Sequence, residues 1–248
     1  MRSKNPLLLG LLCTPLFASG HALNDTGATS CADDSAADLP CGPQTAAYPG
    51  QDAEFGRDVE LPDDSDGRAG FSMTRLDEFG EPLDEAEPDF ASTPWRCVRD
   101  EVTGLIWEVK TDDGMLRDSG WTYSWFDSSL PASGLLQGFE NGGSCSDSAN
   151  CDTEKYVAAV NSQTLCGASD WRLPTRTELL GLVDFGADPM GVVMLGTYFP
   201  HGARDRYWAG NSNSFSDVTA WSVFFGSGSS LPTSKFEARR IRLVRSAP

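Results

Sequence analysis

The sequence predicts an α+β fold with two helices, several short strands and long loops held by disulfides. Short apolar and aromatic runs, separated by turns that contain Gly, are typical of strands. Two segments carry a helix-capping residue followed by apolar residues at helical spacing. Six cysteines follow the N-terminal apolar run, and an even number in an exported chain favours disulfides over thiol chemistry.

The N-terminus predicts a signal peptide over residues 1–22. Arg2 and Lys4 precede the apolar run 7–17, and Gly20 and Ala22 form a small-x-small cleavage site. The run is shorter than the roughly 20 residues that span a bilayer, and no other stretch approaches that length, so we predict no transmembrane segment. Leu12 before Cys13 argues against a lipoprotein. We expect cleavage after Ala22 and a mature protein that is secreted or on the cell surface, with the periplasm as an alternative.

Charge divides the mature chain into two parts. The net charge of −17 becomes −19 when Arg2 and Lys4 are removed, and residues 23–95 hold 18 of the 36 acids but only 3 bases. Such an acidic chain is poorly suited to neutralising phosphates, which excludes nucleic acid as a partner. Residues 23–70 are rich in Asp, Ala, Gly, Pro and Ser without sustained periodicity, so we expect an acidic segment of low order.

Residues 71–95 are interpreted as a leader strand and linker. Residues 71–76 alternate apolar and polar side chains, and residues 77–80 are typical of a turn. All seven tryptophans lie between Trp95 and Trp221, so the large side chains that can organise a core belong to one domain, which we place at residues 96–248.

Within that domain the elements can be assigned in order. Residues 97–100 and 105–109 flank a connector ending in Gly104 and predict a β-hairpin. The Gly, Ser and Asn-rich residues 127–151 predict a long loop. A helix is expected from Asp152 or Thr153 to Leu165, ended by Gly167. Thr175 and Glu178 form a capping box that starts a second helix. The remaining strands are expected at the following residues: 207–208, 220–225 and 238–245.

The cysteine spacing predicts three disulfides. Cys31 and Cys41 are close in sequence, as are Cys145 and Cys151, which leaves Cys97 to pair with Cys166. A zinc site is the competing interpretation, but no CxxC pair occurs and neither histidine is near a cysteine. We therefore predict no metal and no cofactor.

Several of these motifs, in this order, resemble the Lcl C-terminal domain family, named after the Legionella collagen-like protein. The resemblance covers about residues 96–246, and residues 71–83 also resemble the leader found in many such proteins. It is carried by the following residues: Cys97–Asp100, Thr103–Glu108, Cys151–Thr153, Asn161, Leu165–Thr175, Glu178–Leu179, Tyr207–Trp208 and Arg240–Arg245.

The run Asp170–Thr175 with Glu178 is also similar to a segment of C-type-lectin-like domains in the formylglycine-generating and fibrobacter major-paralogous groups. This similarity implies a C-type-lectin-like fold, with two helices against small antiparallel sheets. The chain lacks the Glu-Pro-Asn, Gln-Pro-Asp and Trp-Asn-Asp calcium motifs, so the resemblance does not imply calcium-dependent sugar binding.

Two sets of residues are candidates for function. Asp170, Trp171 and Arg172 could form a ligand platform, but we favour a structural role for them, together with Thr175 and Glu178, because the link to a capped helix needs a buried anchor. The second set could form a basic patch for an anionic glycan or for the acidic segment of the chain itself, although a solvated strand is the alternative. It comprises Arg204, Arg206, Trp208, Lys235, Arg240 and Arg242.

Catalytic and calcium-binding motifs are weaker. Residues 63–67 are similar to a calcium loop but lack the later bidentate acid, so an acidic turn is favoured. No Gly-x-Ser-x-Gly elbow or paired histidines occur, and no catalytic residues are predicted. The sequence thus favours an exported non-catalytic module that binds a glycan or surface protein. A structural subunit of a surface appendage or envelope assembly is the alternative, and an enzyme resembling the formylglycine-generating group is the third hypothesis.

Overall fold

A computed structural model describes residues 23–83, 89–188 and 190–248. The predicted signal peptide lies outside these residues. The α-helices are α1 (Arg57–Glu60), α2 (Thr153–Ser162) and α3 (Arg176–Leu180), and 3₁₀ turns occupy Asp52–Glu54, Ser148–Asn150 and Leu165–Gly167. The strands are β1 (Met73–Leu76), β2 (Cys97–Asp100), β3 (Leu105–Glu108), β4 (Arg206–Ser212), β5 (Thr219–Phe224), β6 (Ser229–Ser234) and β7 (Val244–Ser246).

The strands form two antiparallel sheets. One has the order β1-β2-β3-β7 and the other β4-β5-β6, so the chain is α+β as predicted. The β2-β3 hairpin turns at Gly104, which has φ +69°, while the Asp100 carboxylate accepts the N–H groups of Val102 and Thr103. The leader strand β1 pairs with β2 along its length, from Met73 opposite Asp100 to Leu76 opposite Cys97, and is therefore the edge of the main sheet.

Both predicted helices are present, and the first ends earlier than expected. Asp152 caps α2 by accepting the N–H of Lys155, and the Thr175–Glu178 capping box starts α3. The first helix stops at Ser162 rather than Leu165 because Thr164 and Cys166 both adopt left-handed backbone conformations, each with φ +49°. Such conformations are unfavourable for residues with a Cβ and cannot continue a right-handed helix.

The apolar core consists of two clusters, one on either side of the main sheet's strands. Trp107 lies in one cluster with Phe71, Val98 and Phe199, and Trp125, Trp171 and Trp208 lie in the other. Trp221 packs against the first cluster but is only partly buried. Its ring is covered by the Arg176 guanidinium, 4.2 Å from the ring centre.

Three disulfides staple the fold, and they are the three expected pairs. Cys31–Cys41 and Cys145–Cys151 close short loops. Cys97–Cys166 joins β2 to the 3₁₀ turn after α2, with a Cα–Cα distance of 6.5 Å across 69 residues of sequence. This last bond fixes the position of α2's end against the main sheet.

Residues 23–70, called here the N-terminal extension, contact the domain through residues near both ends of the segment. The Asn24 amide donates to the Asp100 carboxylate and to the Gly181 carbonyl, 3.0 Å away. Thr26 accepts the N–H of Phe185. Arg68 pairs with Asp184, whose side chain is only 3% exposed. These contacts are backbone and polar ones, and the apolar content of the segment gives no information about them.

The strand expected at residues 238–245 is also shorter than predicted. Regular pairing is limited to β7, while Arg239 and Arg240 form isolated bridges. Ile241, Arg242 and Leu243 are all buried. The alternation of basic and apolar residues therefore does not separate a solvent face from a core face here. No helix in the described ranges has the length and apolar content to cross a bilayer.

Candidate functional site

The predicted basic patch divides into a surface part and a buried part. Trp208 is 0% exposed, and its indole N–H donates to the Tyr123 carbonyl at 2.7 Å. Lys235 is buried with its ammonium 4.4 Å from the centre of the Trp125 ring and donates to the Leu136 carbonyl. Arg242 is buried over the Phe199 ring at 4.6 Å. These three residues are therefore removed from the candidate ligand surface.

The other three predicted residues, Arg204, Arg206 and Arg240, come together and are called here the arginine cluster. The guanidinium carbons of Arg204 and Arg206 each lie 5.5 Å from the centre of the Phe224 ring. Arg240 donates through Nε to the Asp205 carboxylate at 3.0 Å. Two arginines thus lie over one half-buried aromatic ring, and the third is paired with the carboxylate of Asp205, which stands between the first two in the sequence.

Regular pairing positions this cluster at one end of the β4-β5-β6 sheet. Arg206 lies opposite Phe224 in the β4-β5 register, and the Arg240 N–H donates to the Arg206 carbonyl. Gly226 allows the close approach of Arg204, because a Cβ there would lie 2.9 Å from Arg204 Cγ. Guanidinium groups held over an aromatic face can still present N–H donors in their plane to carboxylate or sulfate oxygens.

The motif formed by Asp170, Trp171 and Arg172 makes its contacts within the protein. Trp171 is buried and donates from its indole to the Leu165 carbonyl at 2.9 Å. Arg172 binds both carboxylate oxygens of Glu178, at 2.7 and 2.8 Å. Asp170 accepts from Arg245 at 2.6 Å, and this hydrogen bond lowers the pKa of Asp170. These contacts support the structural interpretation of the motif.

Burial and pairing oppose each other at Glu178. Burial by itself would raise the pKa of this carboxyl, but hydrogen bonds from Arg172 and the Thr175 N–H, together with the Arg172 charge, outweigh it and lower the pKa. Glu178 is therefore held ionised as the shared partner of the capping box and Arg172.

Sequence reasoning missed a buried network of charged residues that connects β3 with α2. The Glu108 carboxylate accepts from Lys110 at 3.3 Å, from the Tyr156 hydroxyl and from the Leu243 N–H at 3.0 Å. Arg242 donates to the Glu108 carbonyl. Burial lowers the pKa of Lys110 to about 8 and raises that of Tyr156, with the Glu108 charge adding to the effect. The available signal was Glu108 at the end of an apolar strand, with Lys110 two residues further on.

The acidic residues 63–67 form a turn in which carboxylates bind the chain itself. Asp63 accepts the Ser65 N–H at 3.0 Å, and Asp64 accepts the Ala69 N–H at 2.8 Å. Within the ranges that the structure describes, no group of three or more His, Cys, Asp or Glu residues is placed to hold a metal ion.

Comparison with known proteins gives one family. The family model described as the Lcl C-terminal domain matches residues 96–245, which is more than half of the 248-residue chain. The matched range begins one residue before β2 and ends within β7, so it contains both sheets except β1. No curated protein matches the chain.

Proposed function

Because the chain belongs to the Lcl C-terminal domain family, we propose that it is an exported, non-catalytic module that binds a glycan or a protein at a cell surface. The arginine cluster is the observation that carries this proposal. Three disulfides suit an oxidising compartment outside the cytoplasm. We also propose that the domain has the C-type-lectin-like arrangement that the motif Asp170–Thr175 implies.

Electrostatics favours an anionic ligand for the arginine cluster. The chain carries a net charge of −17, but residues 200–248 hold seven bases and three acids. The cluster therefore concentrates positive charge on a molecule that is otherwise acidic. Guanidinium groups bind carboxylate and sulfate through paired, charge-assisted hydrogen bonds, so an acidic or sulfated glycan and an acidic protein surface are both suitable partners.

An enzyme resembling the formylglycine-generating group is less well supported. That hypothesis requires a free, reactive cysteine, and each of the six cysteines in the described ranges is bonded to another. Thiol labelling of the folded protein checks this directly. Labelling without denaturation would return the enzyme hypothesis to consideration.

The binding proposal is tested with a glycan array and a pull-down from cell-envelope extracts. We expect the mature chain to retain an acidic glycan or an envelope protein, and the double variant Arg204→Ala/Arg206→Ala to bind at least tenfold more weakly. Arg99→Ala is the matched control, since Arg99 lies on the other sheet in an exposed pair with Glu101. No binding in either assay, or equal binding by all three proteins, contradicts the proposal.

A further inference from the structure

A second basic site lies far from the arginine cluster in sequence and is built partly by the leader. A cavity of about 420 Å³ opens between the turn at residues 77–80 and the turn at residues 163–167 after α2. Its polar and aromatic lining includes Glu78, Phe79, Arg96, Arg117, Gln163 and Thr164. Glu78 and Phe79 precede the range matched by the family model, so this cavity requires the leader as well as the domain.

Close backbone packing makes the cavity rigid. A Cβ on Gly80 would lie 2.6 Å from the Cys166 carbonyl oxygen, and one on Gly167 would lie 2.7 Å from the Phe79 carbonyl oxygen. The two turns therefore touch through glycines. The Cys97–Cys166 bond ties the second turn to β2, and the left-handed conformations of Thr164 and Cys166 shape its wall. Backbone in sparsely populated conformations persists only where the surrounding structure holds it.

The cavity lining is net positive, whereas the whole chain is net negative. Two guanidinium groups and one carboxylate line it, whereas the whole chain has a net charge of −17. Arg117 is positioned by a hydrogen bond to the Val109 carbonyl at 3.0 Å. Within the described part of the chain, neither Arg96 nor Arg117 forms an ion pair with an acidic side chain. Both arginines thus line the cavity without being paired to a carboxylate in the described residues.

We propose that this cavity binds an acidic monosaccharide, a pyranose ring that carries a carboxylate. The carboxylate is recognised by Arg96 and Arg117 through charge-assisted hydrogen bonds. Phe79, which is 71% exposed at the rim, offers an aromatic face to the apolar side of the ring. The Gln163 amide and Thr164 hydroxyl supply donors and acceptors for ring hydroxyls.

The size of the cavity agrees with this ligand. A volume of about 420 Å³ lies at the small end of the range of roughly 300–1,000 Å³ for small-molecule sites. The inference does not depend on the arginine cluster, because the two sites share no residue. Either site can fail experimentally while the other remains.

Calorimetric titration of the oxidised mature protein with D-glucuronate, and with D-glucose as the neutral match, tests the proposal at low salt. We expect glucuronate to bind at least tenfold more tightly than glucose and to lose affinity as salt rises. The double variant Arg96→Gln/Arg117→Gln should lose this preference. Arg204→Ala/Arg206→Ala should bind glucuronate as the wild type does, which separates this site from the proposed surface.

Phe79→Ala provides a second test that does not depend on the arginines. Since Phe79 is largely exposed, its removal should leave folding intact, and we expect it to weaken both sugars about five- to tenfold while the preference for glucuronate remains. Near-ultraviolet circular dichroism and intact-mass analysis of the disulfides confirm that each variant is folded. The proposal is overturned if the wild type binds both sugars equally or neither, or if glucuronate binding survives in the double arginine variant.

Discussion

Glu108 is the residue on which the buried polar contacts converge. It is fully buried and accepts from Lys110, Tyr156 and the Leu243 backbone. We predict that Glu108→Gln lowers the free energy of unfolding by about 3–5 kcal/mol, because it leaves a buried cation without its counter-charge. Urea unfolding with the disulfides intact measures this. Glu101→Gln, in an exposed ion pair with Arg99, should cost less than about 1 kcal/mol, and equal effects of the two changes would contradict the account.

Lys110 should make stability depend on pH in the alkaline range. Burial lowers its pKa to about 8 in the folded state, against 10.5 in the unfolded chain. Between these values the unfolded state binds more protons, so stability rises with pH, by at most about 1.4 kcal/mol per pH unit. The rise in stability is best measured between pH 8 and 9.5. Burial raises the pKa of Tyr123 and Tyr156 in the folded state, so above pH 10 these tyrosines make the folded state less stable as pH rises.

Thermal unfolding of Lys110→Met across this window tests the prediction. The variant should lack the rise that the wild type shows. Lys155→Met is the control, because the pKa of Lys155 is raised rather than lowered: burial opposes the shift, but hydrogen bonds and charges from Asp152 and Glu140 outweigh it. A wild-type curve that is flat from pH 8 to 9.5 would show that Lys110 keeps an ordinary pKa when folded.

At the residue scale, the sequence identified aromatic anchors better than buried charges. Ile241 and Leu243 are buried on both sides of Arg242 in the sequence, but alternation only indicates opposite faces. It does not reveal whether the second face is covered by another layer. Here Phe199 and Glu108 cover it, and for the same reason Lys235 could not be assigned to the Trp125 ring.

At the element scale, local sequence signals predicted the elements whose structure depends on residues close in sequence. The Thr175–Glu178 capping box and the β2-β3 hairpin were predicted and are present, because both depend on neighbours in sequence. The end of the first helix was wrong, since the left-handed backbone at Thr164 and Cys166 accompanies a disulfide to a distant strand. The pairing of β1 with β2 likewise could not be predicted from local patterns, because it joins residues that are far apart in the sequence.

Strand β6 has an open edge that Pro232 protects. The Lys235 N–H donates to the Val218 carbonyl, so the hydrogen-bonded pairs with β5 continue through Thr233 and Leu231 and leave Pro232 facing outward. Pro232 has no N–H to offer an incoming strand. We predict that Pro232→Val increases self-association at least severalfold in sedimentation experiments. Pro131→Val, in an exposed loop, should sediment as the wild type does, and identical sedimentation of Pro232→Val would refute the edge assignment.

At the scale of the whole molecule, the order of the N-terminal extension stays a prediction that composition and contacts approach differently. Its scarcity of large apolar residues predicted low order, because apolar burial offsets chain entropy. The contacts of the extension are close backbone approaches, polar pairs and a disulfide rather than large apolar side chains. Gly27 packs so closely on Asp184 that a Cβ would lie 2.2 Å from its carboxylate, and the Cys31–Cys41 bond closes a loop within the extension.

Limited proteolysis distinguishes a docked extension from a free one. We predict that the oxidised mature chain resists early cleavage between residues 23 and 70, and that Arg68→Ala makes this segment several times more sensitive because it removes the partner of the buried Asp184. Arg99→Ala should have no such effect. Rapid loss of the extension from the wild type, leaving a fragment that starts between residues 71 and 95, would contradict the packing described above.

The chain belongs to the Lcl C-terminal domain family, and we propose that it is exported and that its fold depends on its disulfides. The Cys97–Cys166 bond spans 69 residues and should contribute about 4 kcal/mol in the chain-entropy treatment. Non-reducing peptide mapping with N-terminal sequencing, on protein recovered from its producing cells, tests export and fold together. We predict a chain that starts at Leu23 and a peptide joining Cys97 to Cys166; an intact Met1 terminus or a free thiol at Cys166 would contradict the claim.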